Sequence, residues 1–298
     1  MRVLIIGCGY VGLPLGAELA GQGHEVFGLR RSPATDGELL SAGIAPVLAD
    51  ITKPETLARV PAAYDWVVHC ASSSGGGVEA YRQVYLEGMR NVLAWLSATP
   101  PLKFVYTSST GVYGQTDGSL VDEASATEPA VGTAKILVET ERVLLAAARE
   151  KAFPGVVLRL AGIYGPGRGY WLKQYLAGEA RIEGDGGRVL NMVHRDDIVG
   201  ALQAALKNGR PGEIYNVVDD EPVTQFGLFQ WLAGCLGKPM PPTVPESPEP
   251  PRQRGATNKW VSNRKLKREL GYQFKYPTFR EGFAIWACQR GGCAVITL

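Results

Sequence analysis

Six residues near the start of the chain, Gly7-Cys8-Gly9-Tyr10-Val11-Gly12, carry the clearest chemistry. They follow the apolar run 3–6 and precede a helix-forming stretch, 13–22, so the glycines occupy a strand-to-helix turn. In such a turn Gly7 permits the tight bend and Gly9 lets the backbone approach a pyrophosphate. Gly12 lets helix and strand pack closely. The helix N-terminus adds free N–H groups and a partial positive charge. The ligand this implies is a dinucleotide.

The second strand, Val26-Phe27-Gly28-Leu29, runs into Arg30-Arg31. An NAD-selective site usually has a carboxylate there for the ribose 2′-hydroxyl. Two guanidiniums can instead clamp a 2′-phosphate. NADP is therefore the expected cofactor, with NAD less favoured. Tyr10 and Val11 in the loop, Asp50 and Ile51 after the third strand, and Ala71 after the fourth complete the expected contacts. Asp50 is placed either to meet the adenine edge or to cap the following helix.

The elements that must hold these residues alternate. Short apolar runs at 3–6, 25–29, 45–48, 66–70, 104–107 and 156–160 read as strands buried on both faces. Helical stretches fall between them near 11–22, 53–59, 78–99 and 132–151. This order predicts an α/β fold, a Rossmann-type doubly wound parallel sheet with a smaller C-terminal substrate lobe. The dinucleotide domain is expected over 1–165, with a return segment at 190–218 that includes a strand at 213–217. The smaller lobe then takes 166–189 and 219–298. The seven prolines of 238–255 mark an irregular loop.

Composition narrows the class further. At 45% hydrophobic and 20% charged residues the chain is globular rather than disordered. A net charge of +2 gives no argument for nucleic acid or a membrane surface. No apolar run reaches the ~18 residues of a membrane span. Five cysteines without a CxxC pair, and three histidines without ligand spacing, argue against a disulfide framework or a metal site. A cytoplasmic protein acting on a small molecule is expected.

Further motifs extend the reading. Thr107-Ser108-Ser109-Thr110-Gly111-Val112-Tyr113-Gly114 follows the fifth strand, and Arg159 to Gly167 (RLAGIYGPG) follows the sixth. Val193-His194-Arg195-Asp196-Asp197, Ile214-Tyr215-Asn216-Val217, Glu269-Leu270-Gly271-Tyr272 and Tyr276-Pro277 come later. In order and spacing these resemble the extended and atypical short-chain dehydrogenase/reductases, the NAD(P)-dependent epimerase/dehydratase family, over nearly the whole chain. The resemblance implies hydride transfer on a carbonyl or hydroxyl substrate, commonly a nucleotide sugar, and a homodimer built from the helices near 78–99 and 132–151. It assigns Ser109, four residues before the Tyr of Val-Tyr-Gly, to the reacting oxygen. It assigns Lys135 to the Lys of a Tyr-x-x-x-Lys pair.

The Tyr of that pair is missing: Val131 stands in its place, and valine cannot exchange a proton. Tyr113 is the nearest substitute proton donor, or else a structural tyrosine. Tyr164 and His194 are weaker candidates, and Asp196 and Asp197 suit the start of a helix. Lys135 either binds cofactor or faces solvent, and Ser109 either lines the cleft or serves a turn. A dehydratase is disfavoured because Thr110-Gly111 offers no acidic pair. Arg252, Arg254, Lys259, Arg264, Lys265, Lys267 and Arg268 make the end of the chain basic. They suit a diphosphate, or a solvated helix face. Tyr170 and Trp171 wall the cleft or join the core. A hydride-transfer enzyme is the first reading, and a non-catalytic NADP-binding regulator is the alternative.

Overall fold

The odd and even residues of the first strand enter different cores: Val3 and Ile5 one, Leu4 and Ile6 the other. That alternation follows from a strand with helices on both faces. The computed structural model describes residues 1–73, 75–245 and 257–288.

Seven parallel strands form the central sheet. They are β1 (Arg2–Ile6), β2 (Glu25–Arg30), β3 (Ile44–Leu48), β4 (Trp66–His69), β5 (Lys103–Ser109), β6 (Gly155–Leu160) and β7 (Ile214–Val217). Their spatial order is β7-β6-β5-β4-β1-β2-β3. The chain starts in the middle, winds outward to β3, then crosses back to β4. This is the α/β doubly wound Rossmann arrangement, and the reversal beside β1 opens a crevice at the carboxyl ends of the strands. Helices Gly12–Gly21 and Arg195–Asn208 supply Leu15, Leu19, Ile198 and Leu202 to one core. Helices Gly88–Leu96 and Gly132–Lys151 supply Met89, Val92 and Leu144 to the other.

The sequence predicts one helix near 78–99. The structure divides it into Gly77–Tyr81, a π-helical stretch Arg82–Glu87, and Gly88–Leu96. The resumed helix lies hard against the crossover after β3: a Cβ on Gly88 would sit 2.8 Å from Ile51 Cδ1. Four short pairings among the described residues carry no apolar run long enough to announce them, one of them Val189–Leu190 with Val223–Thr224. Gly162–Tyr164 pairs with Met192–His194, Ser119–Val121 with Lys259–Val261, and Ile182–Glu183 with Thr243–Val244.

A third, smaller core gathers Tyr164, Leu172, Tyr175, Met192, Phe229, Phe279 and Phe283. By contrast Val261, Leu266 and Leu270 pack into the larger core beside the sheet. The C-terminal residues are thus shared between the two bodies. No helix among the described residues is long and apolar enough to cross a membrane.

Candidate functional site

The glycine loop closes over β4. Gly7 has φ +83°, and a Cβ there would lie 2.3 Å from Ala71 Cα, so both conformation and space exclude a side chain. A Cβ on Gly12 would lie 2.9 Å from Gly7 O and from Ile5 Cγ2. Gly9 is the opposite case, with nothing within 4 Å of its Cβ position. Its outer face is open, as a loop that receives a pyrophosphate requires. Val11 is the N-cap of the helix that follows, with no side-chain cap to compete for its free N–H groups.

Arg30 folds back over this loop. Its Nε donates to Cys8 O at 2.6 Å, and its Nη1 lies 3.4 Å from Glu38 Oε2. Arg31 is exposed. Asp50 Oδ1 accepts from both the N–H and the hydroxyl of Thr52, at 2.9 and 2.8 Å, so it organises the turn after β3. The Ile51 side chain is buried beneath Gly88 rather than lining a cleft. Ala71 meets the loop through its backbone, at Gly7.

Ser109 ends β5, half-buried. Its Oγ accepts from Gly111 N–H at 3.1 Å, which leaves the hydroxyl proton free to point outward. Val131 is the N-cap of the Gly132–Lys151 helix, and Lys135 stands exposed one turn later. Lys135 N–H donates to Val131 O at 3.1 Å, so the spacing of a Tyr-x-x-x-Lys pair is kept while its proton carrier is gone.

Tyr113 does not reach the crevice. It is fully buried, donating to Asn216 Oδ1 at 2.8 Å and accepting from Arg159 Nη1 at 2.8 Å. Arg159 is itself locked to Glu141, Nη2 to Oε2 at 2.7 Å, with both side chains under 5% exposed. Burial pushes the Tyr113 hydroxyl up, partly offset by Arg159. The structure therefore corrects its candidacy as substitute proton donor: the side chain closes a buried ion-pair network. Tyr164 is likewise buried, donating to Thr278 O at 3.3 Å, and burial pushes its pKa up.

His194 caps the Arg195–Asn208 helix, its Nδ1 accepting from Asp196 N–H at 3.2 Å. Burial holds the imidazole well below its ordinary pKa despite Asp196 nearby. Asp197 is fully buried and accepts from Tyr272 Oη, Lys275 N and Tyr276 N at 2.7, 2.6 and 3.0 Å. It ties the C-terminal segment to the sheet side.

Three of the late basic residues are neutralised by carboxylates. Lys265 meets Glu213 at 2.6 Å, Lys267 meets Asp220 at 3.0 Å and Arg268 meets Glu269 at 2.8 Å. Lys259 is buried, donating to Tyr113 O at 3.0 Å, and burial lowers its ammonium to about 8. Arg264 is exposed, while Arg252 and Arg254 lie outside the described residues. Tyr170 is exposed, whereas Trp171 packs edge-on against Phe229, 6.0 Å between centroids.

One pocket went unnoticed in the sequence. It lies between the turn 165–169 and the C-terminal helix, partly open to solvent, and is lined by Tyr164, Arg168, Leu172, His194, Tyr276 and Phe283, among others. Tyr10 reaches it from the glycine loop, its hydroxyl donating to Pro166 O at 3.0 Å. The only sequence signal was Gly-Pro-Gly-Arg, a break in periodicity with no partner in view.

Comparison with known proteins agrees with this geometry. The chain is 30% identical to a 3-diazoavenalumate denitrifying reductase of Streptomyces sp over 309 residues, covering 95% of this chain and 99% of that protein. It is 33% identical to the solved structure of a putative NAD-dependent epimerase/dehydratase from Methylobacillus flagellatus, with TM-score 0.75 and coverage of 97% and 98%. A dTDP-glucose 4,6-dehydratase from Streptomyces venezuelae, solved with NAD bound, shares the fold at 24% identity and TM-score 0.81, with 97% of each chain covered. Residues 3–217 match the NAD dependent epimerase/dehydratase family, and with the glycine loop, the sheet order and Ser109 already in place, the chain belongs to that family.

Proposed function

We propose that this protein is an NADP-dependent oxidoreductase that moves hydride to or from a carbonyl or hydroxyl carbon. The observation that carries the reading is the crevice itself: an open Gly9, Arg30 folded over the loop, and Ser109 with its proton free at the end of β5, two strands from β1. Bound NADPH would supply the hydride. The chain's own residues bind, orient and polarise. The helix N-terminus after Val11 holds the pyrophosphate, and Arg30 with Arg31 meets the 2′-phosphate. Lys135 holds the nicotinamide ribose, and Ser109 donates a hydrogen bond to the reacting oxygen, stabilising the charge that develops there. With Val131 unable to carry a proton, the last proton reaches that oxygen from solvent through the Ser109 hydroxyl.

The substrate class is a sugar-like or other carbonyl compound, a nucleotide sugar included. The reductase relative supports the hydride chemistry by its name. Val131 favours a second reading, a non-catalytic NADP-binding regulator. A screen of carbonyl substrates separates them: oxidation of NADPH by any of them supports the enzyme. Tight cofactor binding with no turnover across the screen supports the regulator. Cofactor choice is tested by titrating NADPH and NADH fluorescence, then repeating with Arg30→Ala. NADPH should bind at least tenfold more tightly, and the variant should lose that preference. Equal affinities in the parent protein would sink the arginine argument. A homodimer through the helices near 78–99 and 132–151 fits the 46% exposure of Val78, and light scattering reads its mass.

A further inference from the structure

We infer that the pocket beside His194 binds the carboxylate end of an apolar substrate, with Arg168 as the clamp. This rests on the hydride-transfer reading and names the substrate class for it.

Two guanidiniums near Tyr10 are in different states, and of the two Arg168 lines the pocket. Arg195 is spent on Asp196, its Nε and Nη2 both within 3.0 Å of Oδ1. Arg168 is exposed at the rim, and among the described residues it has no carboxylate partner. It is nevertheless held in place. Its guanidinium lies 5.2 Å from the centroid of the Tyr10 ring, and Arg195 lies 5.4 Å from the same centroid. Tyr10 in turn is pinned to Pro166 O. The turn that carries Arg168 is closed by two hydrogen bonds between Gly165 and Arg168, at 2.8 and 2.9 Å, and by Lys173 Nζ on Gly167 O at 2.7 Å. A guanidinium fixed on an aromatic face, with its charge unanswered, is pre-organised for a planar anion.

The rest of the wall sets the remaining chemistry. Tyr164, Leu172, Tyr276 and Phe283 give an apolar interior. His194 contributes one polar group: with Nδ1 accepting from Asp196 N–H, the ring proton sits on Nε2. Nε2 lies 3.2 Å from where a Gly165 Cβ would be, at the turn that borders the pocket. A rim cation above an apolar floor selects an amphiphilic acid. Asp196 also lines the pocket and would repel a dianion, so a carboxylate fits better than a phosphate. Tyr10 joins this pocket to the glycine loop, which puts the acid within one side chain of the cofactor crevice.

Calorimetric titration of the NADPH-loaded protein tests this with cinnamate and octanoate, their neutral amides, and inorganic phosphate. At least one acid should bind at least tenfold more tightly than its amide. Arg168→Gln should cost that acid tenfold or more, leave the amide within twofold, and leave the thermal midpoint unmoved. Arg168→Lys should restore part of the loss, because it keeps the charge but not the fork. Acids and amides binding alike, neither acid binding, an Arg168→Gln variant that keeps the acid, or phosphate displacing the acid at equal concentration would each overturn the assignment. The two readings fail separately. Acid binding without any NADPH turnover removes the hydride-transfer reading alone. Turnover of neutral carbonyls without acid binding removes this one alone.

Discussion

Tyr113 and His69 show how much a residue's meaning depends on what surrounds it. A tyrosine four residues past Ser109 has the reach of a proton donor in sequence. In the fold its hydroxyl joins Arg159 and Asn216 instead. Tyr113→Phe should therefore lower unfolding stability by about 1–3 kcal/mol, since it leaves buried partners unsatisfied. NADPH affinity and any turnover should stay as in the parent. A large loss of rate with unchanged stability would return Tyr113 to the reaction. His69 is fully buried at the end of β4, neither ring nitrogen has a partner among the described residues, and burial pulls its pKa to about 4. The unfolded chain, with an ordinary histidine near 6.5, binds the extra proton first. Stability present above pH 6.5 should thus be lost as pH falls toward 4, by up to about 1.4 kcal/mol per pH unit for this group. His194 acts in the same direction. Urea unfolding across that window reads the slope, and His69→Leu should flatten it.

Between elements, one buried tie is polar. Arg159 on β6 and Glu141 on the Gly132–Lys151 helix form a buried pair, so the helix that presents Val131 and Lys135 is fixed to the sheet by charge as well as by Leu144. Glu141→Ala would strand a buried guanidinium and should cost about 3–5 kcal/mol, measured by denaturant titration. A loss below 1 kcal/mol would mean that Arg159 finds another partner or water. The strands and long helices were legible because two-sided burial writes continuous apolar runs and one-sided burial writes a helical period. The π-helical stretch at Arg82–Glu87 and the four short pairings were not. They arise from contacts between segments far apart in the chain, such as Gly88 against Ile51 or Lys259–Val261 against Ser119–Val121.

For the whole molecule, Asp197 is the junction. It lies on a helix of the sheet side and takes three hydrogen bonds from Tyr272, Lys275 and Tyr276. Asp197→Ala should lower stability by roughly 2–4 kcal/mol, a sum of buried groups left unpaired. It should also speed amide exchange from Tyr272 to Tyr276, and with Tyr276 loosened the pocket should lose affinity for its ligand. Unchanged exchange in that segment would show that packing alone holds it.

The sequence alone determined the sheet, the glycine loop and the absence of a tyrosine at position 131. Each of these is a local matter of apolar period, a turn that only glycine can make, or the identity of one side chain. Only the tertiary structure decided that Tyr113 is buried, that Lys265, Lys267 and Arg268 are paired with carboxylates, and that Arg168 and His194 share one pocket with Tyr10 bonded to its rim. Those facts depend on which segments meet, and Tyr10 and Pro166 lie 156 residues apart. No local pattern encodes such a meeting, because the side chains that settle it come from elements joined only by folding.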